Sequence, residues 1–166
     1  MRLRIQLLAL LAAAVLLAGC SFHLRGQATM PFHTLYLKAT NPGTQFIKEL
    51  RRNLEANNVT LVDSAAQADV ILDIVSEIPD KQILSLSGSG RVNEFQLFYR
   101  VSLRAYDLDQ HDVIPAEEIE MHNDFPYDDS NVLAMESEEA LLYQNLRSDM
   151  VQRIVRRLSR VELKPR

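Results

Sequence analysis

The apolar residues of the chain predict an α+β fold, a two-layer sandwich in which a mixed, mainly four-stranded sheet is packed by two α-helices. Helical spacing occurs twice, after Thr44 and again from Ser130. Strict alternation runs from Phe95 to Ala105, with shorter alternating runs on either side. The order is strand, helix, three strands, helix, which suits helices gathered on one face rather than repeated βαβ units.

The elements follow in order. Thr34 to Ala39 (TLYLKA) alternates as a first strand with Leu35 and Leu37 on one side, and Asn41-Pro42-Gly43 ends it. Phe46, Ile47, Leu50 and Leu54 then recur at three and four residues while Lys48, Glu49, Arg51, Arg52 and Glu55 face away. Thr44 suits the N-cap and Asn57-Asn58 the stop. Val59 to Val62 reads as a short strand. Beyond the Ala-rich turn at 64–68, Val70, Leu72, Ile74 and Ile78 alternate with Ile71, Asp73, Val75 and Glu77. Ser87-Gly88-Ser89-Gly90 marks a reversal. In the long strand that follows, Phe95, Leu97, Tyr99, Val101, Leu103 and Ala105 make a buried face opposite Gln96, Phe98, Arg100, Ser102, Arg104 and Tyr106. Asp109 to Asp112 turns the chain into a fourth main strand, where Ile119, Met121 and Phe125 alternate with Glu118, Glu120, His122 and Asp124. Pro115 places a bulge or a sheet edge near its start. From Ser130 to Arg160 a second helix presents Leu133, Ala140, Leu141, Leu146, Met150, Ile154, Val155 and Leu158 as its apolar stripe. Unbroken it would be about 45 Å long, with a bend near Met135 to Ser137 as the alternative.

The N-terminus has a different character. Arg2 and Arg4 precede Ile5 to Ala18, a stretch without charge that ends at Gly19 and Cys20. A positive start, an apolar run and small residues before a cleavage point are the parts of a secretory signal peptide. Leu17-Ala18-Gly19-Cys20 matches a lipobox, whose chemistry alkylates the cysteine thiol with diacylglycerol, cuts before it and acylates the new amine. Residues 1–19 are therefore expected to be removed, 20–33 to form a lipidated tether and 34–166 to form one domain. Losing residues 1–19, which carry two Arg and no acid, takes the 166-residue chain to 147 residues and its net charge from −4 to −6. Three acyl chains at ~0.8 kcal/mol per buried CH2 exceed what stable membrane anchoring needs. Ser21, rather than Asp, after the cysteine favours the outer membrane.

Much chemistry is excluded. Cys20 is the only cysteine, so neither an intramolecular disulfide nor a zinc knuckle can form. GxSxG, HExxH, a phosphate loop and a dinucleotide fingerprint are all absent. No catalytic residue, metal ligand or cofactor is expected beyond the covalent lipid. The four histidines are scattered, and Asp107 to Asp112 lacks the glycine and distal glutamate of a calcium loop. An acidic exported domain does not suit nucleic acid.

Binding remains, and charge suggests where. From Asp107 to Glu139 there are 12 acids and no Lys or Arg, whereas Arg147 to Arg166 holds 7 basic residues and 2 acids. These runs are either solvated faces or surfaces for a charged partner. Arg91 follows the glycine turn, and Arg100 and Arg104 share a strand face with Phe98 and Tyr106. Guanidinium groups beside aromatic rings suit an amphipathic anion. Cross-strand pairing of Arg100 and Arg104 with Glu118, Glu120 or Asp124 is the competing reading.

Cys20-Ser21-Phe22-His23-Leu24-Arg25-Gly26 resembles the Cys-Gly-(Phe/Trp)-His-Leu-Arg-Gly opening of the LptE (RlpB) lipoproteins. The likeness continues through Leu35-Tyr36-Leu37, the helix with Leu50-Arg51 and Leu54, the glycine turn followed by Glu94-Phe95-Gln96, and the last helix. It implies two helices on a four-stranded sheet, acting as a plug and assembly factor for the LptD outer-membrane β-barrel, with the body in the barrel lumen or on the periplasmic side. It also implies binding of lipopolysaccharide during its insertion into the outer membrane. Ser21 departs from the usual Gly, and Gly88 or Ser89 and Met135 stand where the family has basic residues that contact lipopolysaccharide. Arg91 is the nearest basic substitute, with Arg100 and Arg104 as further candidates. A stand-alone envelope lipid carrier and a lipoprotein hydrolase are the alternative functions.

Overall fold

Val70 to Leu86 and Val92 to Tyr106 form the longest strand pair in the computed structural model, which describes residues 29–163. The strands are β1 (Thr34–Ala39), β2 (Thr60–Leu61), β3 (Val70–Leu86), β4 (Val92–Tyr106) and β5 (Asp112–Pro126). The helices are α1 (Gln45–Ala56) and α2 (Val132–Leu158). The sheet order is β2-β1-β3-β4-β5, with β2, β1 and β3 parallel and β3, β4 and β5 antiparallel. The mixed sheet and its two helices make the expected α+β architecture. The fifth strand is the two-residue β2. The expected signal peptide, and tether residues 20–28, lie outside the described residues.

Both helices cover one face. Phe46, Ile47, Leu50 and Leu54 of α1, with Leu146, Met150, Val151, Ile154, Val155 and Leu158 of α2, are buried against the sheet. Leu72, Ile74, Leu97, Tyr99, Val101 and Leu103 meet them from β3 and β4. Burying one Leu or Phe side chain contributes about 1.5–3 kcal/mol, so this interface is the main stabilising layer. Thr44 caps α1 by accepting from the Ile47 N–H at 3.2 Å, and Asn58 follows the helix with φ 61°. Phe32 is buried at 3% exposure, so the packed body begins before β1, within the stretch expected to be tether.

Three local features differ from the expected pattern. First, register shifts between Ile74 and Ser76, leaving Val75 as an extra residue opposite β4. The bulge inverts the alternation: Glu77 then pairs with Val101 on the helix side, and Ile78 with Arg100 on the open side. Second, Asp129–Asn131 forms a 3-10 turn capped by the Asp128 carboxylate on the Ser130 N–H at 2.9 Å, so α2 starts at Val132. Third, α2 buries only its C-terminal half, and Leu133 and Leu141 are 79% and 55% exposed. The helix continues through Ser137, whose hydroxyl donates to the Leu133 carbonyl at 3.0 Å. Pro115 lies in a bulge on edge strand β5, where Leu103 pairs with Glu117 and Ala105 with Ile114.

No helix among the described residues is long and apolar enough to cross a membrane.

Candidate functional site

The sheet face away from the helices carries most of the expected site. β4 presents Gln96, Phe98, Arg100, Ser102 and Arg104 on it, and β5 answers in register with Asp124, His122, Glu120 and Glu118. Arg100 Nε donates to Glu120 Oε2 at 2.6 Å, and its Nη1 lies 3.4 Å from Asp80 Oδ2. Arg104 Nε donates to Asp112 Oδ1 at 2.5 Å. Each guanidinium lies 4.8 Å from a ring centroid, Phe98 for Arg100 and Tyr106 for Arg104. The amide of Gln96 donates to Asp124 at 2.8 Å, and the Ser102 hydroxyl to Glu118 at 3.2 Å. A hydrogen bond donated by the Gln82 side-chain amide, and then Arg100, hold the Asp80 carboxyl below the usual carboxylate range. Every cation the sequence places here is matched by a carboxylate, so the face satisfies itself before any ligand arrives.

Arg91 is elsewhere. It sits at the distal end of the β3–β4 hairpin, where Ser87 N–H donates to the Arg91 carbonyl at 2.7 Å and Gly90 adopts φ 80°. Its side chain is 72% exposed; it pairs with Asp129 at 3.5 Å, itself 56% exposed, and the Asp128 carboxylate also feels its charge. A depression of about 320 Å³ opens between Arg91, Asn93, Tyr127, Asp128 and Asp129. The Tyr127 ring closes edge-on over Phe95 at 5.1 Å. Ile83, Leu84 and Leu86 on the adjoining end of β3 are 57%, 45% and 56% exposed. The three arginines thus do not form one site: two lie on the sheet face and one at the hairpin end.

Sequence reasoning passed over Lys81. It pairs with Leu97 on the helix side, reaches Glu139 of α2 at 2.8 Å and lies 4.8 Å from the Phe95 centroid. Its position depends on the Val75 bulge, which no periodicity announces. Tyr143 joins it by donating to the Asp80 carbonyl at 2.7 Å. Deeper in the same wedge the Tyr99 hydroxyl donates to Glu77, and burial, then that carboxylate, push the phenol far above its ordinary value. With its proton held, Tyr99 serves structure rather than acid-base chemistry. Asp107, Asp109 and His111 converge at the β4–β5 turn, but the Asp107 carboxylate already accepts from the His111 N–H at 2.9 Å. This cluster reads as turn chemistry.

The pattern of the LptE family, described as lipopolysaccharide-assembly, matches residues 32–158. The LPS-assembly lipoprotein LptE of Yersinia pestis (strain Pestoides F) is 32% identical over 161 residues, covering 95% of this chain and 77% of the relative. Its counterpart in Yersinia pseudotuberculosis serotype O:1b (strain IP 31758) matches to the same extent. Among solved structures, lipoprotein B from Nitrosomonas europaea superposes with a TM-score of 0.72 at 37% identity, covering 84% of this chain and 90% of that one. The rare lipoprotein B from Shewanella oneidensis gives a TM-score of 0.67 at 26% identity, covering 74% and 91%. With the family pattern spanning both helices and every strand, this chain belongs to the LptE family of lipopolysaccharide-assembly lipoproteins.

Proposed function

We propose that this lipoprotein is held at the outer membrane through acylated Cys20, that it is a noncatalytic partner and plug of an LptD-type β-barrel, and that its distal hairpin end receives lipopolysaccharide. Family membership makes the chain an envelope lipoprotein of lipopolysaccharide assembly, without catalysis of its own. The finer reading rests on one juxtaposition: a largely solvated guanidinium, Arg91, on the same hairpin end as exposed Ile83, Leu84 and Leu86. Lipopolysaccharide has phosphates next to acyl chains, and an arginine flanked by aliphatic side chains fits that combination. Arg91 can exchange the exposed Asp129 for a phosphate at little cost, because a solvated ion pair contributes only about 0–1 kcal/mol. Arg100 would have to leave Glu120 and Asp80, and Arg104 would have to leave Asp112.

Binding of purified lipopolysaccharide by the full chain tests this ordering. Arg91→Asp should weaken binding about tenfold, equivalent to ~1.4 kcal/mol, while Arg100→Ala and Arg104→Ala should change it less than about threefold. Equal losses in all three would return the site to the sheet face. Co-purification tests the barrel partner: a chain extracted from outer membranes without any large barrel would sink the plug reading.

A further inference from the structure

The sheet face away from the helices carries an imbalance of charge. Among the described residues its cations are Lys38, Arg100 and Arg104, and each is paired: Lys38 with Asp73 at 2.6 Å, Arg100 with Glu120 and Asp80, Arg104 with Asp112. Three further carboxylates on this face have no cation partner. Glu94 accepts from the Ser85 hydroxyl at 2.7 Å, Glu118 from the Ser102 hydroxyl at 3.2 Å, and Asp124 from the Gln96 amide at 2.8 Å. Seven carboxylates therefore stand against three cations, and protonating His122 would not reverse the sign. The borders do not cancel the excess: Asp107 and Asp109 adjoin the face at the β4–β5 turn, and Arg91 at the far end stands with Asp128 and Asp129. Four of the seven come from β5, within the stretch from Asp107 to Glu139 that has no Lys or Arg.

Both helices pack on the other face, so no element among the described residues covers this one. Its side chains are already ordered by cross-strand bonds and by the rings beside Arg100 and Arg104, so a partner that meets it has little rotamer freedom left to remove. The excess of carboxylates repels an anionic ligand and attracts a basic surface. We infer that this face seats the domain against the lumenal wall of the barrel partner, and that the wall answers Glu94, Glu118 and Asp124 with Lys and Arg side chains. The inference rests on the plug reading above and adds to it the side on which the plug is held. The interior of an outer-membrane barrel is polar, which suits a face rich in charged, hydroxyl and amide groups. The same excess turns phosphate groups away from Arg100 and Arg104 and leaves them to Arg91 at the hairpin end.

With Cys20 acylated the chain has no free thiol, so His122→Cys on this face and Arg52→Cys on the outer surface of α1 each supply a unique, exposed reporter. Labelling by a maleimide is timed for the full acylated chain alone, with purified lipopolysaccharide, and in the complex co-purified with the barrel. Residue 122 should label at least about tenfold more slowly in the complex than alone, and residue 52 within about threefold of its free rate. Charge reversal is the second arm. Glu118→Lys with Asp124→Lys should lower the yield of co-purified barrel about tenfold. Glu55→Lys with Asp149→Lys makes the same change in net charge on exposed helix positions and should leave the yield within about twofold. Equal labelling of residue 122 alone and in the complex overturns this inference and leaves the plug reading intact. So does slowing at residue 52 instead, which would seat the helix layer on the wall. An equal loss of barrel from both charge sets overturns it by reducing the effect to net charge. Slowing at residue 122 by lipopolysaccharide without the barrel overturns it by making the face a ligand site. A chain that co-purifies with no barrel overturns the plug reading, and this inference with it.

Discussion

Asp69 ties the first strand to the third, although no motif singles it out. Its carboxylate accepts the His33 and Thr34 N–H groups at 3.0 and 2.9 Å, and its own N–H returns to the Thr34 hydroxyl at 2.9 Å. The Thr34 N–H, against partial burial, holds the carboxyl below the usual carboxylate range. A depressed folded-state value means stability that is present above the unfolded value, near 3.9, and lost as pH falls through the folded one. Asp69→Asn should therefore flatten the loss of urea stability between neutral pH and about pH 3, and Asp69→Ala should cost about 1–2 kcal/mol at neutral pH. An unchanged acid limb in Asp69→Asn would show that other carboxylates govern it. Arg100 was legible at this scale, since its partner Glu120 stands among the acids the alternation placed opposite it. Asp69 was not, because its partners lie 35 and 36 residues away and are backbone groups.

At the scale of elements, periodicity located both helices and all the main strands but could not say how much of each would be covered. The stripe of α2 includes Leu133 and Leu141, yet full burial begins only at Leu146, and Met135, Leu142 and Tyr143 before it are partly buried. Leu133→Ala should then change stability by less than about 0.5 kcal/mol, whereas Met150→Ala should cost about 2–5 kcal/mol. Chemical denaturation compares the two, and a Leu133 loss near that of Met150 would mean that the N-terminal half of α2 packs in solution. In β3 the limit was register. Val75 adds one residue, and a shift of one exchanges the two faces, moving Ile78 to the open side and Glu77 beneath Tyr99. Thr44 and Pro115 behaved as expected because a cap and a missing N–H act locally.

For the whole molecule, the sheet has a closed end and an open one. β1 covers the edge of β3 only as far as Ile74, so Ser76 to Leu86 has β4 on one side and no strand on the other. Hydrogen exchange should find amides within Val70–Ile74 protected close to the global unfolding limit, and those within Ser76–Leu86 exchanging at least about tenfold faster. Uniform protection along β3 would mean that the distal half is as stable as the core. This open end carries Arg91 and the exposed aliphatic residues, the surface on which the proposed function rests. The opposite end carries the paired helix termini and the point where the chain enters. By itself the sequence determined the α+β class, the strand and helix order, the α1 cap and the family resemblance, because each depends on neighbours a few residues apart or on a short run of identities. Only the tertiary structure decided that Arg100 and Arg104 pair within the sheet face while Arg91 meets exposed carboxylates at the hairpin end, that full burial of α2 begins only at Leu146, and that the C-terminal ends of α1 and α2 meet at one end. Those outcomes depend on which distant segments come together and on a single bulge that sets the faces of β3, and neither leaves a period in the chain.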